Sequence, residues 1–141
     1  MKQALLILFL GIFTITNAQN RESQVVDELI AVTKVKESLP LMVNSIIDRF
    51  KQKSTNIPDT YWEEIKNSID YFTFLEKVKK LYIENYNLAE LKELVSLYKS
   101  GNIESYKLKL EKITPQLYQI GKEFGQQTAQ FIVEKIKAYK K

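Results

Sequence analysis

The stretch 82–115 constrains the fold more than any other, because it contains a complete amphipathic helix with its start and its stop. Asn87, followed three residues later by Glu90, has the pattern of a capping box, in which two side chains satisfy free backbone N–H groups at a helix start. Gly101 ends the pattern, because glycine readily adopts the left-handed conformation of a helix end. Between these signals apolar residues recur at spacings of three and four, which predicts one helix over 88–100: Leu88, Leu91, Val95 and Tyr98.

Similar apolar stripes predict helices along the rest of the chain. The first runs from about Glu22 to Lys36, and a second begins near Ser38 with Pro40 in its first turn. A polar, proline-containing linker then separates this N-terminal helix pair, 19–56, from a helical core over 57–141. No stretch alternates like a strand followed by a hairpin turn. The predicted fold class is therefore all-α, a compact antiparallel bundle of about six helices in a single domain.

The C-terminal third contains a long apolar series that crosses a proline. Residues from Ile103 to Phe124 keep spacings of three and four through Thr114 and Pro115. Proline in a helix interior costs about 3 kcal/mol, because it removes a hydrogen bond and clashes with the preceding turn. Two arrangements keep the spacing, one long kinked helix or a new helix that starts at the proline. We favour the kinked long C-terminal helix.

A second series of small residues follows on the same predicted helix. Gly121, Gly125 and Ala129 are four residues apart and share one face. Each glycine costs about 1 kcal/mol relative to alanine inside a helix, so two on one face suggest close approach of another helix. This glycine seam (Gly121, Gly125 and Ala129) predicts packing within the chain, with a homodimer contact as the alternative.

The first 18 residues have the composition of a secretory signal peptide. Lys2 supplies a short positive region, an apolar run covers 4–15, and small residues before Ala18 suit a signal peptidase. A membrane anchor is the alternative, but a span needs about 20 apolar residues and this run is shorter. We therefore expect cleavage between Ala18 and Gln19, and a periplasmic or secreted mature domain over 19–141 with no membrane span.

The chain contains no histidine and no cysteine, which excludes several kinds of site. A zinc site of the usual ligands, a histidine-based catalytic triad and a histidine pH switch all need these residues. The net charge of +4 is too small an excess to indicate nucleic-acid binding. We expect no cofactor, no metal site and no nucleic-acid partner.

Acidic side chains remain the only candidates for catalysis, and tyrosines are the best candidates for a ligand or partner surface. Glu63 with Glu64, and Glu90 with Glu93, are the carboxylate pairs to consider, although solvated helical carboxylates are the ordinary case. Four tyrosines fall in or near the central stretch, and tyrosine suits half-wet binding surfaces. Their positions on the apolar stripes also suit a core in which only the hydroxyls reach water: Tyr82, Tyr86, Tyr98 and Tyr106.

The order of several residues resembles a known bacterial family, the exported domain of unknown function 2059. The residues that carry the resemblance run from Pro58 to Pro115: Pro58, Trp62, Tyr82, Glu90, Leu91, Leu94, Tyr98, Ser100 and Pro115. It covers about 57–141 and departs after Ser100, where the family usually has proline. The resemblance implies an all-helical exported domain and supplies no catalytic residues.

These observations predict a non-enzymatic binding or interaction module of a Gram-negative cell envelope. Its partner is a protein or another envelope component, and the chain is a monomer or weak homodimer. The first alternative is a carrier of a small apolar ligand or lipid between helices, and the second is an envelope glycan hydrolase that uses Asp and Glu. A binding module predicts an exposed apolar surface, a carrier an enclosed cavity, and a hydrolase paired carboxylates in a cleft.

Overall fold

The structure, a computed structural model, describes residues 20–139. The predicted signal peptide and its cleavage site at Ala18 lie outside the described residues. Every regular element within 20–139 is a helix, which confirms the all-α prediction. No helix in this part of the chain is both long enough and apolar enough to cross a bilayer. The first helix, α1, covers 20–32, and six others follow: α2 (Val35–Lys51), α3 (Asp59–Asn67), α4 (Tyr71–Asn85), α5 (Leu88–Lys99), α6 (Ile103–Leu110) and α7 (Thr114–Tyr139).

The predicted start and stop signals of α5 are both present. The Asn87 side chain accepts hydrogen bonds from the backbone N–H groups of Ala89 and Glu90, each at 3.0 Å. The Glu90 carboxylate accepts the Asn87 N–H at 2.8 Å, which completes the capping box. Gly101 has φ 75°, the left-handed conformation expected after a helix end. The sequence therefore predicts both ends of this helix to within one residue.

The favoured kinked helix across Pro115 is wrong. α6 ends at Leu110, a turn covers 111–113, and a separate α7 begins at Thr114. In this arrangement Pro115 lies in the first turn of α7, where its missing N–H has no partner to lose. The alternative, a new helix at the proline, is the one that forms, because it keeps the apolar spacing without the cost of an interior proline.

The boundary between α1 and α2 also differs from the prediction. α1 ends near Thr33, whose hydroxyl donates to the Leu29 carbonyl at 2.7 Å. Lys34 then takes the left-handed conformation with φ 55°, and α2 begins at Val35 rather than near Ser38. The left-handed conformation costs a lysine about 1–2 kcal/mol, so lysine rarely adopts it. A lysine in the sequence therefore does not predict a turn.

The described residues form two compact units, each made of two chain segments. The first unit comprises 20–33 and 79–114, and the second comprises 34–78 and 115–139. In the first unit, three ion pairs join elements at the surface: Lys79 with Asp27 at 2.7 Å, Lys99 with Glu28 at 2.6 Å, and Lys109 with Glu93 at 2.7 Å. Exposed pairs of this kind contribute about 0.2–1 kcal/mol each, so the apolar interior carries most of the stability.

The second unit has a continuous apolar core. Trp62 and Ile65 of α3 are almost completely buried, as is Ile132 of α7. The Tyr61 hydroxyl donates to the Lys135 carbonyl at 2.9 Å, which ties α3 to the last turns of α7. Burial of each large apolar side chain stabilises the fold by about 1.5–3 kcal/mol. The buried members of this core come from three helices and the linker before α3: Leu39, Val43, Ile47, Ile57, Trp62, Ile65, Phe124, Ile132 and Ile136.

Candidate binding grooves

Three of the four candidate tyrosines lie inside the first unit. Tyr82, Tyr86 and Tyr106 are 6%, 5% and 8% exposed, and Tyr98 is partly exposed. Tyr98 packs edge-on against Tyr106 with ring centroids 5.1 Å apart, and the centroids of Tyr82 and Tyr86 are 6.0 Å apart. The burial of these three tyrosines agrees with the interpretation that they belong to the core. Of the four, Tyr98 alone offers a ligand more than a small part of its side chain.

Tyr86 is the most constrained member of this group. Its hydroxyl donates to the Lys109 carbonyl at 2.5 Å, and the Lys112 ammonium lies 3.8 Å from the centre of its ring. The same ammonium donates to the Asn85 carbonyl. Burial, and after it the negative charge of Glu90, raise the pKa of Tyr86 to about 12. Burial also raises the pKa of Tyr82 well above its usual range. These tyrosines stay protonated at neutral pH and act as packed hydrogen-bond donors.

The glycine seam lies on α7 beside open space. A Cβ atom placed on Gly121 or on Gly125 would meet no heavy atom within 4 Å. Neither glycine is therefore held close to another described helix, although close approach was the reason predicted for them. Gly125 and Ala129 instead help to line a groove on the second unit.

This groove, called here the basic groove, lies between the C-terminal half of α2 and the middle of α7. Its volume is about 480 Å³, within the range of small-molecule sites. The α2 side contributes Ile46, Arg49, Phe50 and, just after the helix, Lys53. The α7 side contributes Lys122, Gly125, Gln126 and Ala129. Within the described part of the chain the groove is open to solvent, so a ligand can enter it without a change of fold.

The lining of the basic groove is ordered by polarity. Ile46, Phe50, Gly125 and Ala129 are partly buried, whereas all four polar lining residues are exposed. Apolar groups therefore form the bottom and polar groups form the rim. Among the residues that the structure describes, no carboxylate lies within 4.0 Å of the rim cations, whereas seven other lysines have such a partner, from Lys51 through Lys109. The rim cations are Arg49, Lys53 and Lys122.

Of the residues that line this groove, the sequence singled out only Gly125 and Ala129, and as a packing seam. Ile46 and Phe50 lie on the apolar stripe of α2, and a single apolar stripe gives no reason to separate them from the core. The width of that stripe is the feature that could have predicted the groove. The apolar stripe occupies more of the α2 surface than one neighbouring helix can bury. Its members are Met42, Val43, Ile46, Ile47 and Phe50. Met42, at the edge of this stripe, is 38% exposed.

A second groove on the same unit, called here the aromatic groove, lies between the start of α4 and α7. It is smaller, about 220 Å³, and Phe74, Phe124 and Phe131 line it. Its charged groups already have partners. Asp70 accepts hydrogen bonds from the N–H and hydroxyl of Thr73, which lower the pKa of this carboxyl, and Lys77 pairs with Glu123 at 3.4 Å. Few polar groups in this groove remain available to a ligand.

The candidate catalytic carboxylates lie outside both grooves. Glu63 pairs with Lys66, Glu90 belongs to the capping box, and Glu93 pairs with Lys109. Glu64 is exposed on α3. Within 20–139, no group of three or more acidic side chains comes together in a way that could hold a metal ion. Asp70, engaged by Thr73, is the one carboxylate that lines either groove.

Comparison with known proteins gives no relative from which a site could be inferred: the chain matches no protein-family profile, no curated protein and no solved structure. The resemblance to the domain of unknown function 2059 stays a prediction.

Proposed function

We propose that this protein is a non-enzymatic binding module of the bacterial cell envelope, and that the basic groove is its ligand site. The observation that carries the proposal is the lining of this groove. Partly buried apolar groups at the bottom offer a surface that gains free energy when a ligand covers it. Exposed cations at the rim, which have no carboxylate partner among residues 20–139, offer orientation and selectivity.

The size of the groove also supports a binding role. Small-molecule sites usually have volumes of about 300–1,000 Å³, and the basic groove, at about 480 Å³, lies within that range. The aromatic groove, at about 220 Å³, lies below it. Its charged lining groups already have partners, Asp70 with Thr73 and Lys77 with Glu123, so it has less to offer a ligand.

A carrier of an apolar ligand is the second candidate. Carriers hold their ligand in an enclosed cavity, whereas both described grooves open to solvent, which favours a binding module. A glycan hydrolase is the third candidate. Such an enzyme needs two carboxyl groups about 5–10 Å apart across a cleft, and Asp70 is the one carboxylate in the two grooves.

Export to the periplasm or the medium completes the proposal and rests on the signal-peptide pattern of residues 1–18. The mass of the protein purified from its own host tests this part. A chain that begins at Gln19 is the expected result, and the mass of the full 141 residues would contradict export by cleavage.

A neutral apolar fluorophore, N-phenylnaphthylamine, tests the groove itself. We expect saturable binding of one probe molecule per chain, because the groove offers one apolar surface of suitable volume. Gly125→Leu should abolish this binding by filling the bottom of the groove. Gly121→Leu is the matched control, since it places the same side chain on the same helix at a glycine that also has open space but does not line the groove.

Thermal unfolding of both variants shows whether each retains the fold. Loss of probe binding in Gly125→Leu alone, with both variants folded, is the expected outcome. Equal binding by the wild type and both variants would place the probe elsewhere and contradict the proposed site. Absence of probe binding in the wild type would contradict it as well.

A further inference from the structure

The arrangement of charge in the basic groove points to the chemistry of its ligand. Arg49, Lys53 and Lys122 stand on its rim, and none of the described residues that line it is acidic. The remaining polar lining group, Gln126, can donate through its amide. An anionic head group would therefore meet charged and neutral donors from both helices. A cationic head group would meet three like charges.

The negative end of the α2 helix dipole does not cancel the positive charge of the groove. The C-terminus of a helix carries a partial negative charge of about half an elementary charge. Arg49 lies in the last turn of α2, and Lys53 follows its end. Together with Lys122 on α7 they supply three full positive charges. These three positive charges exceed the partial negative charge of the helix end, so the groove has a net positive charge.

The same charges argue against a second copy of the chain as the occupant. A symmetric dimer uses the same surface on both partners, so each rim cation would face the rim cations of the other copy. Like charges placed opposite each other across an interface cost free energy. The homodimer contact predicted from the glycine seam would carry this cost, because Gly125 and Ala129 lie in the groove with these cations.

We propose that the basic groove binds a single-chain anionic amphiphile, a long-chain fatty carboxylate, with the chain against Ile46 and Phe50 and the carboxylate among the rim cations. The open backbone at Gly125 leaves room for the chain beside α7. Each buried methylene of such a chain adds to the binding free energy, so a chain of this kind needs only part of its length in the groove. This inference rests on the proposed function and adds the class of ligand.

Displacement of N-phenylnaphthylamine tests the inference on protein purified from its host and freed of bound lipid. Dodecanoate, below its aggregation concentration, should displace the probe at least about tenfold more effectively than dodecyltrimethylammonium, which has the same chain and the opposite charge. Acetate, the head group without the chain, should not displace it. Raised salt should weaken dodecanoate binding and leave the neutral probe unaffected, because these charges are exposed to solvent.

Substitutions identify the cations. Arg49→Gln and Lys122→Gln should each weaken dodecanoate binding about two- to fivefold, the range for solvent-exposed ion pairs, after correction for the affinity of each variant for the probe. Lys36→Gln is the control, since it removes one exposed charge from the same helix outside the groove.

Three results would overturn the inference. Equal displacement by dodecanoate and dodecyltrimethylammonium would show a groove without charge preference and would leave the proposed binding function intact. Displacement of the probe by acetate, which has no apolar chain, would show that the groove binds small anions. Concentration-dependent dimers in sedimentation that Gly125→Leu dissociates would make a second copy the occupant. Failure of the probe itself to bind in the groove would instead contradict the proposed function.

Discussion

Replacement of Gly125 by alanine should stabilise this protein, although glycine at this position was expected to serve close helix packing. Gly125 lies near the middle of α7, and glycine in a helix interior is about 1 kcal/mol less favourable than alanine. A Cβ atom here meets no heavy atom of the described residues within 4 Å, so no repulsion from them offsets that gain. We expect the free energy of unfolding to rise by about 0.5–1 kcal/mol, chiefly because alanine restricts the unfolded chain.

Gly101→Ala is the matched control, with the opposite sign. Its Cβ would also have open space, but Gly101 has φ 75°, and alanine in the left-handed conformation costs about 1–2 kcal/mol. The two variants differ in backbone conformation and not in crowding. A gain at Gly125 and a loss at Gly101 would therefore separate the two roles of glycine in one chain.

Urea denaturation measures both effects. Trp62, the single tryptophan, is buried in the unit that contains Gly125, so its fluorescence reports unfolding of that unit. Circular dichroism of the helices follows Gly101→Ala. Destabilisation by Gly125→Ala would refute the reasoning, since it would mean that another helix approaches this face in solution. If that loss grew with protein concentration, the approaching helix would belong to a second copy.

Two further predictions concern the first unit. Asn87→Ala should lower the free energy of unfolding by about 1 kcal/mol, because it removes two hydrogen bonds at the start of α5. In urea denaturation the comparison is Asn102→Ala, which removes one such bond at the start of α6. An unchanged unfolding midpoint for Asn87→Ala would contradict the role of the capping box. Alkaline pH should destabilise the fold from about pH 10, the ordinary pKa of tyrosine, because the pKa of Tyr86 is raised to about 12 in the folded chain. The raised pKa means that the folded chain holds its proton longer, so this stability is complete below pH 10 and falls as pH rises towards 12. Tyr86→Phe should make that decline less steep, while the raised pKa of Tyr82 maintains the rest of it, and an unchanged pH profile would refute the assignment to Tyr86.

The sequence predictions succeeded where the interactions that decide the structure join residues close together in the chain. The capping box of Asn87 and Glu90 joins residues three positions apart, so the sequence contained the whole device, and the helix formed where predicted. The break at Lys34 involved a lysine in a left-handed conformation, where glycine or asparagine would have given a signal and lysine gives none. The break before Pro115 was one of two arrangements that the apolar spacing allowed equally.

The candidate site was predicted only in part, for a related reason. Gly125 and Ala129 were singled out, but the partners that make a groove with them come from α2, more than 70 residues earlier in the chain. The tyrosines were chosen as a candidate surface because tyrosine suits interfaces, yet their stripe is one of the most buried in the first unit. Residue type alone does not distinguish these two environments.

The sequence by itself determined that this chain is helical, where its best-marked helix begins and ends, and which face of each helix is apolar. Those properties follow from backbone hydrogen bonds and side-chain spacing within one or two turns. The tertiary structure decided which apolar faces are covered and which remain open. The same spacing leaves Ile47 in the core and Ile46 at the bottom of a groove, because burial depends on whether another helix lies across that face. That neighbour is set by the fold of the whole unit, and residues far apart in the chain supply it.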